Sequence, residues 1–146
     1  MHEVEKMVKS LIFYRIIFMP SYVDSVLIKG EKVKYQAKLH WRIYFTIKSL
    51  LTLGLSPIIQ QKTSEFVITN KRVIMKTGFI SRKTFEMNLQ KIESVNVDQS
   101  LFGRFLGYGT VTVIGTGGSR ESFSDISEPL IFRRKFQETE LTEEQG

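Results

Sequence analysis

Apolar and polar residues alternate over residues 33–48 for longer than anywhere else in the chain. Val33, Tyr35, Ala37, Leu39, Trp41, Ile43, Phe45 and Ile47 fall on one side of an extended backbone. Lys34, Gln36, Lys38, His40, Arg42, Tyr44, Thr46 and Lys48 fall on the other, because successive strand side chains point to opposite faces. Strands ordinarily hold about five or six residues, so a bend or a change to helix is expected after Trp41. Residues 65–77 read as a hairpin, with Phe66, Val67 and Ile68 before an Asn70-Lys71 turn and Val73, Ile74 and Met75 after it. Gly78 marks the next turn. Residues 80–89 alternate again with a change of frame near Lys83, and 92–97 follow a turn at Gln90-Lys91.

The segment 96–118 organises the second half of the chain. Val95 and Val97 alternate with Asn96 and Asp98, as Val111 and Val113 do with Thr110 and Thr112, which is the period of half-buried strands. Between them Leu101, Phe102, Phe105 and Leu106 have helical spacing for about one turn. Ser100 is placed to cap that turn and Gly107 to stop it at positive φ. Gly109 is expected to turn the chain tightly back into a strand. Gly115, Gly117 and Gly118 are expected to form a hairpin turn, so plain turn geometry accounts for this glycine set. A phosphate-cradling loop would be followed by a helix, whereas here Ser119, Arg120 and a weak strand over 120–125 follow.

Helices are expected at both ends. Over residues 3–18, Val4, Met7, Val8, Leu11 and Ile12 share one face, with Lys6, Lys9 and Ser10 opposite. Glu3, Glu5 and Arg15 do not suit a secretory signal. An amphipathic helix over 1–20, packed on the domain or lying on a membrane surface, fits better. Met19-Pro20 ends it, and Met19 is also an alternative start. Near the other end Ser127 is expected to cap a helix with Glu128 and Pro129 in its first turn. Phe132 and Phe136 fall on its buried side, and Arg133, Arg134 and Lys135 on its wet side. Glu138, Glu140, Glu143 and Glu144 oppose the helix dipole, so 139–146 is expected to fray into a disordered tail. Strands followed by one helix define a mainly β fold.

Residues 47–59, IKSLLTLGLSPII, are the most apolar of the chain. A bilayer span needs about 20 apolar residues, and extending back to Trp41 brings in Arg42 and Lys48. A central Lys costs about 2.5–3.5 kcal/mol while each Leu or Ile returns about 0.3–0.6, so a span is disfavoured. A hydrophobic hairpin or short helix that packs, self-associates or dips into the interface is expected, with Trp41, Leu50, Leu51, Leu53 and Leu55 as its membrane-inserting side chains.

Composition adds one decisive element, charge. The 146 residues carry a net charge of +6, and the acidic tail makes the body more basic than that. Anionic partners follow: lipid headgroups or nucleic acid. Lys34, Lys38, Arg42, Lys48, Lys71 and Arg72 are the candidate anion-binding residues. There is no cysteine, which removes disulfides and thiolate metal sites.

The blocks LIKGEKVKYQAKLHW, FVITNKRVIMKTGFISRKTFEMNLQKIESVNVDQSLFGRFLGYGTVTVIGTGG and EPLIFRRKFQE resemble, in order, the bacterial pleckstrin-homology-like domain commonly attached to membrane helices. The resemblance covers residues 22–138 and implies a strongly bent antiparallel β-sandwich or partial barrel capped by one helix. Members usually carry a transmembrane helical hairpin between the counterparts of Trp41 and Phe66. Here that interval is far too short for two spans and contains Lys48, so the short apolar insertion over 43–60 is expected either to be a degenerate single insertion or to leave the protein peripheral. The family supplies no catalytic residues to carry over, and phosphoinositide binding would be an analogy of fold only.

The chemistry of catalysis is missing from the sequence. His2 and His40 are the only histidines, and neither has metal-site or triad spacing. His40 reads as a strand-surface residue, and Asp98-Gln99-Ser100 as a local turn and cap. No cofactor and no metal are expected, and the chain reads as a non-enzyme. The leading reading is a binding module on the cytoplasmic face of the cell membrane, held by anionic lipid or a partner protein and able to self-assemble. The alternatives are a nucleic-acid-binding basic β-domain, weakened by the lack of an RNA-recognition aromatic pattern or a helix-turn-helix, and a soluble cytoplasmic interaction scaffold.

Overall fold

The computed structural model describes residues 1–17, 21–53, 55–78 and 81–145; the start of the 80–89 alternation lies outside them. The described residues form two antiparallel sheets and a closing helix. The first sheet has the order β1 (Val33–Ala37), β2 (Glu65–Thr69), β3 (Arg72–Thr77), β4 (Lys83–Asn88). The second has the order β5 (Ile92–Asp98), β6 (Tyr108–Gly115), β7 (Arg120–Ser127). The Asn70-Lys71 hairpin pairs Phe66 with Met75 and Val67 with Ile74, as the turn residues require.

The long alternation of 33–48 is divided between the two sheets. β1 ends at Ala37, and Leu39 then bridges Ile126 of β7. The His40 amide donates to Asp125 O at 2.7 Å and the Ser127 amide to Lys38 O at 2.9 Å. Residues 38–40 therefore fasten one sheet to the other before the chain winds into a 3-10 turn at Trp41–Phe45. The change to helix comes at Trp41 itself. Its cause is local: the His40 ring accepts from the Arg42 amide at 3.2 Å and caps the turn.

The core lies between the sheets. Phe66 and Phe123 meet edge to face across it at 5.7 Å, with Ile68, Val73, Met75, Val111, Val113 and Ile126 around them. Helix α6 (Pro129–Glu144) packs on β1 and β2 of one sheet and on β5 and β6 of the other. Its Phe132 and Phe136 are buried, as their spacing requires, and Phe132 meets Tyr35 at 6.2 Å. Two details differ from the sequence reading. Ser127 closes β7, and Glu128, at φ 49°, occupies the cap position before Pro129. The helix continues to Glu144 because Thr139 is buried and Glu138 pairs with Lys135, which outweighs the unfavourable dipole.

β2 is buried along its whole length, which explains why FVI is a continuous apolar run instead of an alternation. Phe66 and Ile68 face the main core. Val67, with Ile74, is covered on the outer face by Val23 of a short helix, α2 (Tyr22–Val26). α2 is held by Glu65, whose carboxylate accepts from Ser21 Oγ at 2.7 Å, Tyr22 N at 2.8 Å and Val23 N at 3.0 Å. A side chain from the sheet thus satisfies the free amides of the first helical turn.

Gly107 stops its helix at φ 81°, and Gly117 and Gly118, at φ 84° and 81°, make the expected turn. Gly115 opens that turn, its carbonyl accepting from the Gly118 amide at 3.2 Å, whereas Gly109 differs from the expectation and sits within β6 without positive φ. A Cβ at Gly115 would meet the Met87 thioether, and one at Gly109 would lie 2.6 Å from Asp98 O and 2.7 Å from Gln99 Cγ. Gly109→Ala is expected to cost about 1–3 kcal/mol, the usual penalty for overpacking, measured as a lower urea midpoint at unchanged slope.

Candidate functional site

Residues 41–63 fold into a small helical excursion with its apolar side chains turned outward. The 3-10 turn leads into α3 (Ile47–Leu51) and then α4 (Leu55–Thr63). Thr46 Oγ1 accepts from the Ser49 amide, and Thr52 Oγ1 from the Ser56 amide, so a threonine hydroxyl satisfies one first-turn amide of each short helix. Pro57 in the first turn of α4 sits where its missing N–H costs nothing. The excursion is seated by Ile43, Ser49, Pro57 and Thr63, all buried. It is tied down by Tyr44 OH donating to Gln61 at 2.7 Å.

What faces water is the reverse of a normal surface. Phe45, Ile47, Leu50 and Leu51 are 78–80% exposed, Leu53 96%, Trp41 51% and Leu55 47%. Leu53 also adopts φ 51°, a left-handed conformation that costs a non-glycine residue about 1 kcal/mol. A glycine or asparagine would make that bend more cheaply and without an apolar side chain in water. Helix α1 (His2–Ile17) packs against α4 and leaves Val4, Met7, Val8, Leu11 and Ile12 exposed. The face expected to pack on the domain or lie on a membrane surface is thus open to solvent.

A second set of exposed apolar residues stands beside the first. Helix α5 (Leu101–Leu106) starts on Ser100, whose Oγ accepts from the Gly103 amide at 3.0 Å. Leu101, Phe102 and Phe105 are 83%, 76% and 89% exposed. The apolar spacing was visible in the sequence, but its direction was not. The signal for it was Gly103: a helix that seats a glycine has nothing but its other residues to show to solvent.

His40 joins the two sets. It is not a strand-surface residue; it is buried, with Nδ1 accepting from the Arg42 amide and Nε2 3.0 Å from Leu106 O. An amide only donates and a carbonyl only accepts, so the ring proton sits on Nε2. The ring also lies 5.0 Å from Trp41 and 5.2 Å from Tyr108.

The candidate cations do not form one cluster. Lys34 and Lys38 are exposed on the outer side of β1 and its continuation, and Lys71 is exposed at the β2–β3 turn. Arg42 is half engaged, paired with Asp125 and stacked 4.8 Å above Tyr108. Arg72 has a structural part instead. It binds Glu31 at 3.0 Å, Glu86 at 2.7 Å and Val26 O at 2.6 Å, leaving no free guanidinium for a ligand. The side chain of Lys48 lies outside those described. An open depression of about 650 Å³ beside Arg42, Asp98, Tyr108, Thr110 and Asp125 contains no histidine and no serine–histidine pair. Among the described residues no group of three His, Asp or Glu is placed to hold a metal, and no helix is long and apolar enough to cross a membrane. The nine residues of α4 span about 14 Å, half of a bilayer core of about 30 Å.

Two packed antiparallel sheets closed by a C-terminal helix define a pleckstrin-homology-like β-domain. Residues 24–141 match the model of the bacterial PH domain family, and the chain belongs to that family. A DUF1696 family protein with a pleckstrin-homology domain from Shewanella loihica PV-4 shares the fold at TM-score 0.50 and 9% identity, over 81% of this chain and 89% of that one. No curated protein matches the chain.

Proposed function

We propose that this PH-like domain is a non-catalytic module that docks on an anionic membrane surface at the cytoplasmic face of the cell membrane. The observation that carries the reading is the outward-turned apolar hairpin, with Phe45, Ile47, Leu50, Leu51 and Leu53 nearly fully exposed. Side chains of this size left in water each forgo about 1.5–3 kcal/mol of burial, and a shallow interfacial insertion recovers part of it. Lys38 and Arg42, at the end of β1 from which the hairpin leaves, supply the electrostatic part, at about 1 kcal/mol for a free cation near an anionic leaflet and less for Arg42, which Asp125 partly neutralises. Lys34 and Lys71 lie toward the other end of the first sheet. Arg72 is withdrawn from that set by its ion pairs.

Flotation with vesicles tests this reading. The protein is expected to float with phosphatidylserine-containing vesicles, less well with pure phosphatidylcholine, and less well as salt is raised. Equal recovery with both compositions, or no recovery, would remove it.

A further inference from the structure

We propose that α5 is a second apolar prong, entering the same membrane interface as the 41–55 hairpin. The inference rests on the membrane reading above and adds to it a separate insertion element that the hairpin does not require. Gly103 is the buried residue of α5, and a Cβ there would lie 2.7 Å from Tyr108 O. The helix is therefore seated backbone to backbone on the start of β6, and its side chains contribute nothing to the described core clusters. Phe102 and Phe105 project instead, and Arg104, exposed between them, has a stem long enough to carry its charge to headgroup level.

Continuity with the hairpin selects a bilayer as the occupant. The His40 imidazole bonds the carbonyl of Leu106, the last residue of α5, and lies against Trp41, which in turn meets Phe45 edge to face at 5.5 Å. One buried ring thus fixes the spacing between the two exposed apolar sets. Charge defines what the prong contributes. Asp125 is paired with Arg42, and it shares with Asp98 and Ser100 the depression at the start of α5. With these carboxylates close by, α5 acts through its apolar side chains and its contribution persists when salt is raised.

The chain has one tryptophan and no cysteine, so each prong can be watched alone. In the full chain, Trp41 emission reports the hairpin; in a Trp41→Phe, Phe105→Trp variant the introduced indole reports α5. Both positions are exposed, so the fold tolerates the exchange. A bimane label on Phe102→Cys gives an independent reading of α5. With phosphatidylcholine–phosphatidylserine vesicles carrying brominated acyl chains, both indoles and the bimane are expected to be quenched. Phe102→Ser with Phe105→Ser is expected to weaken vesicle binding about tenfold, nearly independently of salt. Quenching at Trp41 without quenching at 102 or 105 overturns the prong and leaves the membrane reading standing. A blue shift at 105 that follows protein concentration in the absence of vesicles overturns it in favour of a second copy. Absence of flotation removes the membrane reading, and the prong with it.

Discussion

Glu65→Ala is expected to lower the unfolding free energy by about 3–5 kcal/mol, the cost of breaking a buried charged network from one side. The Glu65 carboxylate satisfies Ser21 Oγ and the amides of Tyr22 and Val23, and it faces Lys76 Nζ at 3.8 Å. Removing it leaves the ammonium of Lys76, whose side chain is 6% exposed, without a carboxylate and facing the Tyr22 ring at 5.3 Å. It also frees α2 from the outer face of the first sheet, where Val23 covers Val67 and Ile74. Urea denaturation followed by circular dichroism measures the loss. A loss under about 1 kcal/mol, the level of a surface ion pair, would show that α2 is not held by this carboxylate.

The same carboxylate gives the chain an acid limit. Burial pushes the Glu65 carboxyl upward, but the bonds from Ser21, Val23 and Tyr22 and the Lys76 charge outweigh it, leaving it below its ordinary 4.5. Glu31 follows the same pattern, burial being overcome by Arg72, the Ile28 amide and Thr69. A carboxyl whose folded pKa is depressed contributes stability above its unfolded value and loses it as pH falls through the folded one. Stability is therefore expected to hold from neutrality down to about pH 4.5 and to fall below it. Glu65→Gln is expected to flatten that fall.

Leu50→Ser, Leu51→Ser and Leu53→Ser together are expected to reduce vesicle affinity about a hundredfold while leaving stability within about 0.5 kcal/mol. The three leucines are 79%, 79% and 96% exposed, so the folded domain gives up almost no packing when they change. Half-burial of each in an interface is worth about 1 kcal/mol, and each 1.4 kcal/mol is about tenfold in affinity. A variant that still floats as well as the parent shows that the hairpin does not carry the binding. Replacing Gly-seeking Leu53 alone with Asn should relieve its left-handed strain and raise stability slightly.

The readable parts of the sequence were those where local chemistry and tertiary packing point the same way. The Asn70-Lys71 hairpin, the Ser100 cap, the Gly107 stop and the Phe132–Phe136 spacing each follow from residues within one turn or one strand pair. The unreadable parts depend on partners distant in the chain. His40 alternates correctly for a wet strand face, yet residues 38–40 cross to β7 and bury it. Arg72 reads as a free cation because Glu31 and Glu86 reach it only after three strands and a loop have folded. Gly109 reads as a turn because the close approach of Asp98 leaves no trace in the neighbouring residues.

By itself the sequence determined that this chain is a mainly β domain closed by one helix, with a basic body and an apolar interval whose charges disfavour a bilayer span. Those properties follow from side-chain period, turn chemistry and the cost of charge in hydrocarbon, all of which are local sums. The tertiary structure decided which apolar residues are core and which are surface. An apolar residue is equally hydrophobic in either place; only the seating of Gly103 on β6, and of Ile43 in the main core, turns Phe105 and Leu53 toward water.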